Sequence, residues 1–383
     1  MGKIVCRQTA RIQEHATPTQ KPVMNSPQTS RAEQEVRQDF YNTIDQQSMT
    51  PLWEVLAGLV TREPVSQARP HLWKFDDVRP HVMKAGELIT AKEAERRVLV
   101  LENPGLRGDS RITPSLYAGL QLILPGEVAR AHRHTASALR FIIEGNGAYT
   151  AVDGEKTIME EGDFVITPPW SWHDHGNDSD QPMIWMDGLD VPMVNIFETS
   201  FAENLAEDEQ QLSRPANYSP DHYSHNMLPV GYEHTRKCSP IFNYPYARTR
   251  ETLERMAKYE EWDPCHCVKV QYTNPLDGSY AMPTIATFMQ LLPKGMTTTP
   301  YRSTDGMIYS PVEGAGRTIL RAPEGDVTLT WGPKDVFVIP SWMAHHHESD
   351  GDAVLFSFSD RAAQRKLGIW REQRGNGPVA GPH

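Results

Sequence analysis

Three histidines provide the first sign of chemistry in this 383-residue chain. His132 and His134 are separated by one residue, and His173 lies further along the chain. Residues two apart on a β-strand point to the same face, so His132 and His134 would enter the same interior. A third imidazole from a facing strand would complete a set of metal ligands. The spacing therefore predicts a metal centre with three nitrogen ligands and open coordination positions.

Polar residues on the neighbouring strands share the inward parity. Arg140 lies on the strand that follows the histidine pair, and Tyr117, Gly119 and Gln121 alternate along the strand before it. All four would point inward if those strands are unbroken. A buried arginine is unfavourable unless it is paired, so a substrate carboxylate is the expected partner, with Arg96 as a second candidate for that role. A surface or salt-bridged location for Arg96 and Arg140 is the alternative.

His175 lies two residues after His173 and would face the same side. It is therefore a candidate general acid or base, or a hydrogen-bond donor to the substrate, with Asp174 next to it. A purely structural role for His175 remains open.

These residues lie in short β-rich runs punctuated by glycine and proline, and the whole pattern occurs twice. Ile143-Glu144-Gly145-Asn146-Gly147 is echoed by Val312-Glu313-Gly314-Ala315-Gly316, and Trp170 through His173 by Trp342 through His345. At the positions of His132 and His134 the second copy has Tyr301 and Ser303, and only His345 is retained. One imidazole cannot hold a metal tightly, so the second copy is predicted to be structural.

The spacing of the first copy is similar to the two sequence motifs of the cupin superfamily. Five residues separate Gly126 from His132-Arg133-His134, and five also separate Gly162 from Pro168. The superfamily's usual glutamate ligand falls at Ala138, which leaves three neutral nitrogens and up to three free positions. Fe(II) best suits a site that must bind a bidentate substrate and O2. Zinc held by three histidines and used for hydrolysis is the competing assignment, and three buried, hydrogen-bonded histidines without a metal are the third.

The predicted fold class is mainly β, with two tandem cupin barrels (double-stranded β-helices) and N-terminal and linker helices. Capping signatures at Ser30-Arg31-Ala32-Glu33 and Thr50-Pro51 predict two helices before the first barrel. The predicted layout is as follows: a flexible tail over 1–37, a helical and extended segment over 38–105, the catalytic barrel over 106–195, a linker with a helix over 196–282, a second, metal-free barrel over 283–360, and a C-terminal helix and tail over 361–383.

Composition excludes several classes of function. The formal net charge is −11, and no dense Lys/Arg stripe is present, so nucleic acid is not an expected partner. No run of 18 apolar residues and no N-terminal secretion signal occurs, which favours a cytoplasmic protein without membrane contact. The four cysteines are unevenly scattered and are expected to be reduced thiols.

With the site assembled, the chain resembles the gentisate 1,2-dioxygenases, a bicupin family that includes salicylate and 1-hydroxy-2-naphthoate dioxygenases. The resemblance spans roughly residues 38 to 372 and rests on these segments: Thr50-Pro51-Leu52-Trp53, Glu95-Arg96-Arg97, Ser115 through Gln121, His132-Arg133-His134-Thr135, Ser137 through Phe141, Trp170 through Gly176, Ser239 through Tyr246 and Tyr280 through Thr284.

The resemblance implies Fe(II)-dependent, extradiol-type ring cleavage by O2 in aromatic catabolism, with gentisate giving maleylpyruvate. It implies that the substrate chelates iron through its carboxylate and the adjacent hydroxyl. By resemblance His132, His134 and His173 are the ligands, Arg96, Arg140 and Gln121 contact the substrate, and His175 and Asp174 supply second-sphere hydrogen bonds. Tyr117 is more like gentisate enzymes than the salicylate enzyme. The family is usually tetrameric, so a homo-oligomer is expected.

Two alternative functions remain at this level. A dioxygenase for salicylate, a substituted salicylate or 1-hydroxy-2-naphthoate would use the same carboxylate-plus-hydroxyl chelate. A non-enzymatic bicupin that binds a metal or a small aromatic acid is the alternative from another class. The polar interior residues Arg140, Gln121 and His175 argue against it.

Overall fold

The computed structural model describes residues 30–224, 227–233, 237–259 and 261–381. The chain divides into two compact units, residues 1–62 and 63–383. Most of the predicted flexible tail, Cys6 within it and the last two residues of the predicted C-terminal tail lie outside the described ranges. Within those ranges, no helix is both long and apolar enough to cross a membrane, and Cys238, Cys265 and Cys267 are not in disulfides, which agrees with the expected reduced thiols.

The first unit contains two helices, α1 (Arg31–Asp45) and α2 (Leu52–Leu59). Ser30 caps α1 in the predicted capping box with Glu33. Residues 31–37 are therefore helical, and the predicted end of the flexible tail at residue 37 was placed too late in the chain. Helix α2 begins after Pro51, which occupies the N-cap position that was expected for Thr50. Thr50 therefore does not cap the helix, because the proline takes the extended conformation that precedes the first turn.

The second unit contains both predicted barrels, which confirms the mainly β bicupin fold. The strands of the first barrel are β3 (Tyr117–Ile123), β4 (Val128–His134), β5 (Ala138–Glu144), β6 (Ala148–Val152), β7 (Glu155–Ile158), β8 (Phe164–Thr167), β9 (His173–Asn177) and β10 (Met183–Leu189). Glycine is required at the turn after β5. Gly145 has φ 96°, and a Cβ there would lie 2.6 Å from the Pro182 carbonyl oxygen.

The second barrel repeats the same order of strands. They are β14 (Ala286–Leu292), β15 (Tyr301–Ser303), β16 (Met307–Glu313), β17 (Gly316–Ala322), β18 (Gly325–Trp331), β19 (Val336–Ile339), β20 (His345–Ser349) and β21 (Ala353–Ser359). The repeat inferred from the sequence is therefore confirmed strand by strand.

Shorter elements surround the barrels. They are β1 (His71–Trp73), α3 (Phe75–Leu88), α4 (Ala91–Ala94), β2 (Val98–Val100), α5 (Val191–Ile196), β11 (Ala202–Asn204), α6 (Tyr218–Tyr223), β12 (Asn243–Tyr244), α7 (Tyr246–Tyr259), β13 (Val268–Gln271), α8 (Arg361–Lys366) and β22 (Glu372–Arg374). The predicted linker thus contains strands and a second helix besides the one that was expected. Two of the shorter strands belong to the barrel that follows them in the chain. Strand β2 pairs with β3 of the first barrel, and β13 pairs with β14 of the second.

The two barrels exchange strands. Strand β1, which precedes the first barrel, pairs with β19 of the second, and β12, which precedes the second barrel, pairs with β8 of the first. Strands β11 and β22 then pair with β4 and β15. The predicted barrel boundaries at 106–195 and 283–360 were therefore too narrow, because strands outside them complete both pairs of sheets.

A continuous apolar core joins the barrels. Phe141 of the first barrel stacks on Phe356 of the second, with ring centroids 4.1 Å apart and planes 2° apart. Hydrogen bonds cross in both directions: Ser115 donates to Asp360, and Thr284 donates to Asp190. The second unit therefore behaves as one folded body around a shared interior.

Candidate metal centre

The three histidines converge inside the first barrel. His132 and His134 come from β4 and His173 from β9, and one nitrogen of each lies within 4.8 Å of the others. His132 and His173 face each other in the register of the two strands, with ring centroids 4.1 Å apart. Among the residues that the structure describes, no other group of three His, Cys, Asp or Glu side chains could hold a metal in this way.

Backbone carbonyls orient two of the rings. His134 Nδ1 lies 2.8 Å from the Ala136 carbonyl oxygen, and His173 Nδ1 lies 2.9 Å from that of Ser171. If both Nδ1 atoms carry the proton, both Nε2 lone pairs are free for a metal. His173 Nε2 is buried and has no hydrogen-bond partner among the described atoms. A buried acceptor of this kind is unfavourable unless something binds it, and a divalent cation fits the need.

The electrostatic surroundings keep the ligands neutral. Burial, reinforced by the neighbouring Arg96, lowers the pKa of His132 to about 2, and burial lowers the pKa of His134 to about 4. Burial also lowers the pKa of His173 well below its ordinary value. Neutral imidazole is the metal-binding form, so no proton competes for the Nε2 lone pairs of His134 and His173 at physiological pH.

The histidines lie in a cavity of about 700 Å³, a volume typical of small-molecule sites. Four of the other predicted site residues also line it: Arg96, Tyr117, Gln121 and Arg140. The remainder of the lining was not predicted and comprises Val98, Asp109, Ser110, Arg111, Ala138, Asp187, Leu189, Val191, Pro192, Asn195 and Ile196.

Asp187 is the most important residue that the sequence analysis missed. It lies on β10, its Oδ1 is 3.6 Å from Arg140 Nε, and it accepts a hydrogen bond from Trp185 Nε1 at 3.0 Å. Arg140 therefore has a carboxylate partner within the protein, which agrees with the salt-bridged alternative, and its contact with a substrate stays a prediction. The sequence did contain a signal, since Asp187 directly follows the apolar run Met183–Met186.

Charge in the cavity is unbalanced. Burial, followed by repulsion from Arg140, lowers the pKa of Arg96 to about 10, and burial lowers that of Arg140 to about 10. Burial raises the pKa of Asp187 to about 6, although Arg140 opposes this shift. Arg111 and Asp109, which also line the cavity, pair with each other. At neutral pH the guanidinium groups of Arg96 and Arg140 therefore face the single carboxylate of Asp187, which leaves one positive charge in a site of low dielectric constant. A carboxylate ligand would neutralise it.

His175 lies behind Arg140 and does not line the cavity. Arg140 Nη2 donates to its Nε2 at 2.9 Å, and its Nδ1 is 2.9 Å from the Thr150 hydroxyl oxygen. Since an arginine can only donate, Nε2 must be the acceptor, and Nδ1 carries the proton. Both ring nitrogens are thus engaged by protein groups, so His175 orients Arg140 in this structure, and its predicted role as an acid or base stays a prediction.

Besides His175, two further predicted residues do not line the cavity. Asp174 lies on the opposite face of β9 from the ligands, because side chains alternate along a strand, and it accepts hydrogen bonds from the backbone and side chain of Gln210 at 3.1 and 2.9 Å. Gly119 has no side chain to offer. A Cβ at that position would lie 2.5 Å from Val98 Cγ1 and 2.8 Å from the Tyr117 hydroxyl, so glycine allows these two neighbours to pack closely.

The second barrel has a different interior at the corresponding place. Tyr301 faces His345 as His132 faces His173. The guanidinium of Arg361 donates to the Tyr301 hydroxyl from Nη2 and to Asp305 from Nε, both at 3.1 Å. An ion pair, Arg361 with Asp305, therefore lies beside Tyr301 in this barrel.

Comparisons with known proteins agree with this geometry. Residues 119–191 match the cupin domain family. The chain is 61% identical to gentisate 1,2-dioxygenase 1 of Aquipseudomonas alcaligenes over 88% of this chain and 96% of that one. It is 36% identical to 5-aminosalicylate 1,2-dioxygenase of a Comamonas species, over 88% and 89% of the two chains. It is also similar to a crystal structure of salicylate 1,2-dioxygenase from Pseudoaminobacter salicylatoxidans with gentisate adducts, at a TM-score of 0.83, 30% identity, and coverage of 94% and 98%.

The fold and the histidine cluster define a bicupin, metal-binding, ring-cleaving dioxygenase. Within that class, the chain belongs to the gentisate 1,2-dioxygenase family.

Proposed function

We propose that this chain cleaves gentisate with O2 between the carboxyl-bearing carbon and the adjacent hydroxyl-bearing carbon, giving maleylpyruvate. Fe(II) is the proposed metal, with His132, His134 and His173 as its ligands. The observation that supports this best is the convergence of three neutral imidazoles at a cavity with one unbalanced positive charge. The choice of gentisate follows the relative at 61% identity that carries this activity in its name.

The residues present fit this metal. Three nitrogens without a carboxylate ligand leave positions open, and His173 Nε2 is buried without a partner. When bound, Fe(II) supplies coordination sites for a carboxylate-plus-hydroxyl chelate and for O2, and lets electron density pass from the ring to the oxidant. Three histidines also suit zinc, but zinc has no redox chemistry and could not support this reaction.

The protein's own groups bind and orient the acid. Arg140 is held by Thr167 Oγ1 at 2.6 Å and by His175, so its guanidinium has little freedom to move. Arg96 is tethered to the backbone carbonyls of Glu95 and Arg130, at 2.7 and 2.5 Å. Two fixed cations that line the cavity favour a carboxylate ligand, and Gln121 and Tyr117 on β3 supply neutral polar contacts to ring substituents.

One assay tests the proposal. The protein is reconstituted anaerobically with Fe(II), each candidate acid is added in turn, and O2 uptake and the ultraviolet spectrum are recorded on admission of air. We expect one O2 consumed per gentisate. Uptake with 5-aminosalicylate, salicylate or 1-hydroxy-2-naphthoate but not with gentisate would contradict the proposed substrate. No uptake with any of them would contradict the enzymatic function.

A further inference from the structure

The outer face of β4 carries an arginine that the chemistry above does not use. Arg133 lies between the two histidine ligands of that strand and points away from the cavity. Its guanidinium carbon lies 4.5 Å from the ring centroid of Trp170 and 4.6 Å from that of Trp172. The cation is therefore held between two indoles, a geometry in which each face contributes attraction.

The same guanidinium joins a third element. Arg133 pairs with Glu203 on β11, with Nη2 and Nε at 2.6 and 2.8 Å from Oε2, and the two residues are directly opposite in the strand pairing. One side chain thus connects β4, the turn of residues 168–172 between β8 and β9, and β11.

That turn controls the ligands. Trp170 has φ 60°, an uncommon backbone conformation for a large side chain, and its N–H donates to the His134 carbonyl at 2.7 Å. The next residue, Ser171, provides the carbonyl that orients the His173 ring. The turn therefore contacts the backbone of one ligand and the side chain of another, and a shift of the turn would displace both.

We propose that Arg133 is a positioning residue for the metal centre. Its stacking between Trp170 and Trp172 holds the turn so that the ligand nitrogens of His134 and His173 converge. This inference rests on the proposed metal site and adds a residue that never touches the metal or the substrate.

The second barrel contains a corresponding arginine–tryptophan stack. Arg302 stacks at 4.5 Å on Trp342, whose φ is 62° and whose N–H donates to the Ser303 carbonyl at 2.7 Å. Ala344 stands where Trp172 does, so the stack has one face only. Because Tyr301 and Ser303 flank Arg302 in place of the histidine pair, Arg302→Met removes a comparable stack without affecting a ligand set.

The affinity for a metal distinguishes a role of Arg133 in positioning the ligands from a role in the stability of the fold alone. We would titrate metal-free wild type, Arg133→Met, Arg133→Lys and Arg302→Met anaerobically with Co(II), whose visible absorption reports coordination geometry, and record the melting temperature of each metal-free protein. We expect Arg133→Met to weaken Co(II) binding about 10- to 100-fold, the range typical of residues that orient ligands. Arg133→Lys should recover part of this loss, and Arg302→Met should bind Co(II) like wild type.

The possible outcomes are distinct. Wild-type affinity in Arg133→Met, or an equal loss in Arg302→Met, would overturn the positioning role. If Arg133→Met does not fold, Trp172→Leu is the replacement variant, because it removes one face of the stack. It must then bind Co(II) more weakly than both wild type and Arg302→Met. Failure of the wild type itself to bind Co(II) or Fe(II) would instead refute the metal site on which the inference rests.

Discussion

At the residue scale, the proton on Asp187 controls the balance of charge in the cavity. Its carboxylate is 5% exposed and lies beside Arg140, which also bonds to Thr167 and His175. The ionised form holds the guanidinium on this side of the cavity and leaves one net positive charge for a substrate. Protonation would remove that counter-charge and weaken the restraint on Arg140.

Activity should therefore fall in acid as Asp187 takes up a proton. Burial raises the pKa of this carboxyl to about 6, so it is ionised above that pH and neutral below it. A bound divalent cation favours the ionised form and would move the midpoint to or below pH 6. We expect an acidic limb of kcat/KM near this value in the wild type, measured by O2 uptake between pH 5 and 8. Asp187→Asn should be less active and should lack this limb, and an unchanged limb would assign it to another group.

The histidine ligands give a second prediction at this scale. His134→Ala removes one of three nitrogens, so it should abolish iron retention after gel filtration and reduce turnover by more than the roughly 100-fold seen for residues that only orient ligands. Ser303→Ala changes the corresponding position of the second barrel and should leave iron content and turnover near normal. Iron analysis and O2 uptake on both variants provide the measurement. Loss of activity in Ser303→Ala would mean that the catalytic barrel is misassigned.

At the element scale, α8 and the strands of the second barrel are held by buried charges. Arg361, the first residue of α8, pairs with Asp305 at 3.1 Å, and Trp370 Nε1 donates to the same carboxylate at 2.8 Å. Burial would raise the pKa of Asp305, but the charge of Arg361 and several hydrogen bonds outweigh it and hold the pKa at about 2. The Arg361–Asp305 ion pair thus lies inside this barrel and attaches α8 to it. The first barrel has an open cavity instead.

Breaking this pair should destabilise the fold without affecting the metal. Asp305→Asn leaves Arg361 buried without its counter-charge, which typically costs about 3–5 kcal/mol of unfolding free energy. Because the native pKa lies below the ordinary value of 3.8, the stabilisation is present above pH 4 and is lost as the pH falls through about 2. Denaturant unfolding at pH 7 measures the loss, and iron content should stay near that of wild type.

Asp326→Asn is the control for that variant. Asp326 is an exposed acid of the same barrel, so its change should stay within about 0.5 kcal/mol. An equal loss in both variants would contradict a special role for the buried pair.

At the scale of the whole molecule, strand exchange and the shared core make the two barrels interdependent. Each barrel takes an edge strand from the segment that precedes the other, and Phe141 and Phe356 stack across the junction. The metal-free role predicted for the second barrel is consistent with this arrangement, since the second barrel completes a sheet and a core for the first. This structural contribution is a sufficient reason for the chain to contain a second barrel, even without a second active site.

The helices of the first unit support a prediction about assembly. No residue of α2 is buried, and its exposed apolar side chains include Trp53 at 65% and Leu59 at 68%. Apolar surface of this kind commonly marks an interface, and the expected homo-oligomer would provide one. We expect Leu56→Lys combined with Leu59→Lys to lower the mass measured by light scattering. Gln38→Lys, a polar exposed position of α1, should not, and an unchanged mass in the double variant would exclude α2 from the interface.

The sequence by itself determined the repeat, the mainly β architecture and the residues of the histidine cluster. These follow from local rules: alternation along a strand places His132 and His134 on one face, and glycine and proline mark the turns. The same alternation correctly predicted that Tyr117, Gln121 and Arg140 would face the cavity. It also required Asp174 to face away, although its place beside His173 in the chain had suggested a role in the site.

Only the tertiary structure decided which distant groups meet. Asp187 reaches Arg140 because β10 pairs with β5 in a register that the sequence does not specify, and Arg361 reaches Tyr301 because α8 folds back over the second barrel. The exchange of β1 and β12 is likewise not predictable from the sequence, since the backbone groups of a short strand can pair with any open sheet edge. Which edge is paired depends on the three-dimensional path of the segments around the strand. Contacts between neighbours in sequence are local and predictable, whereas contacts between strands depend on the packing of the whole unit.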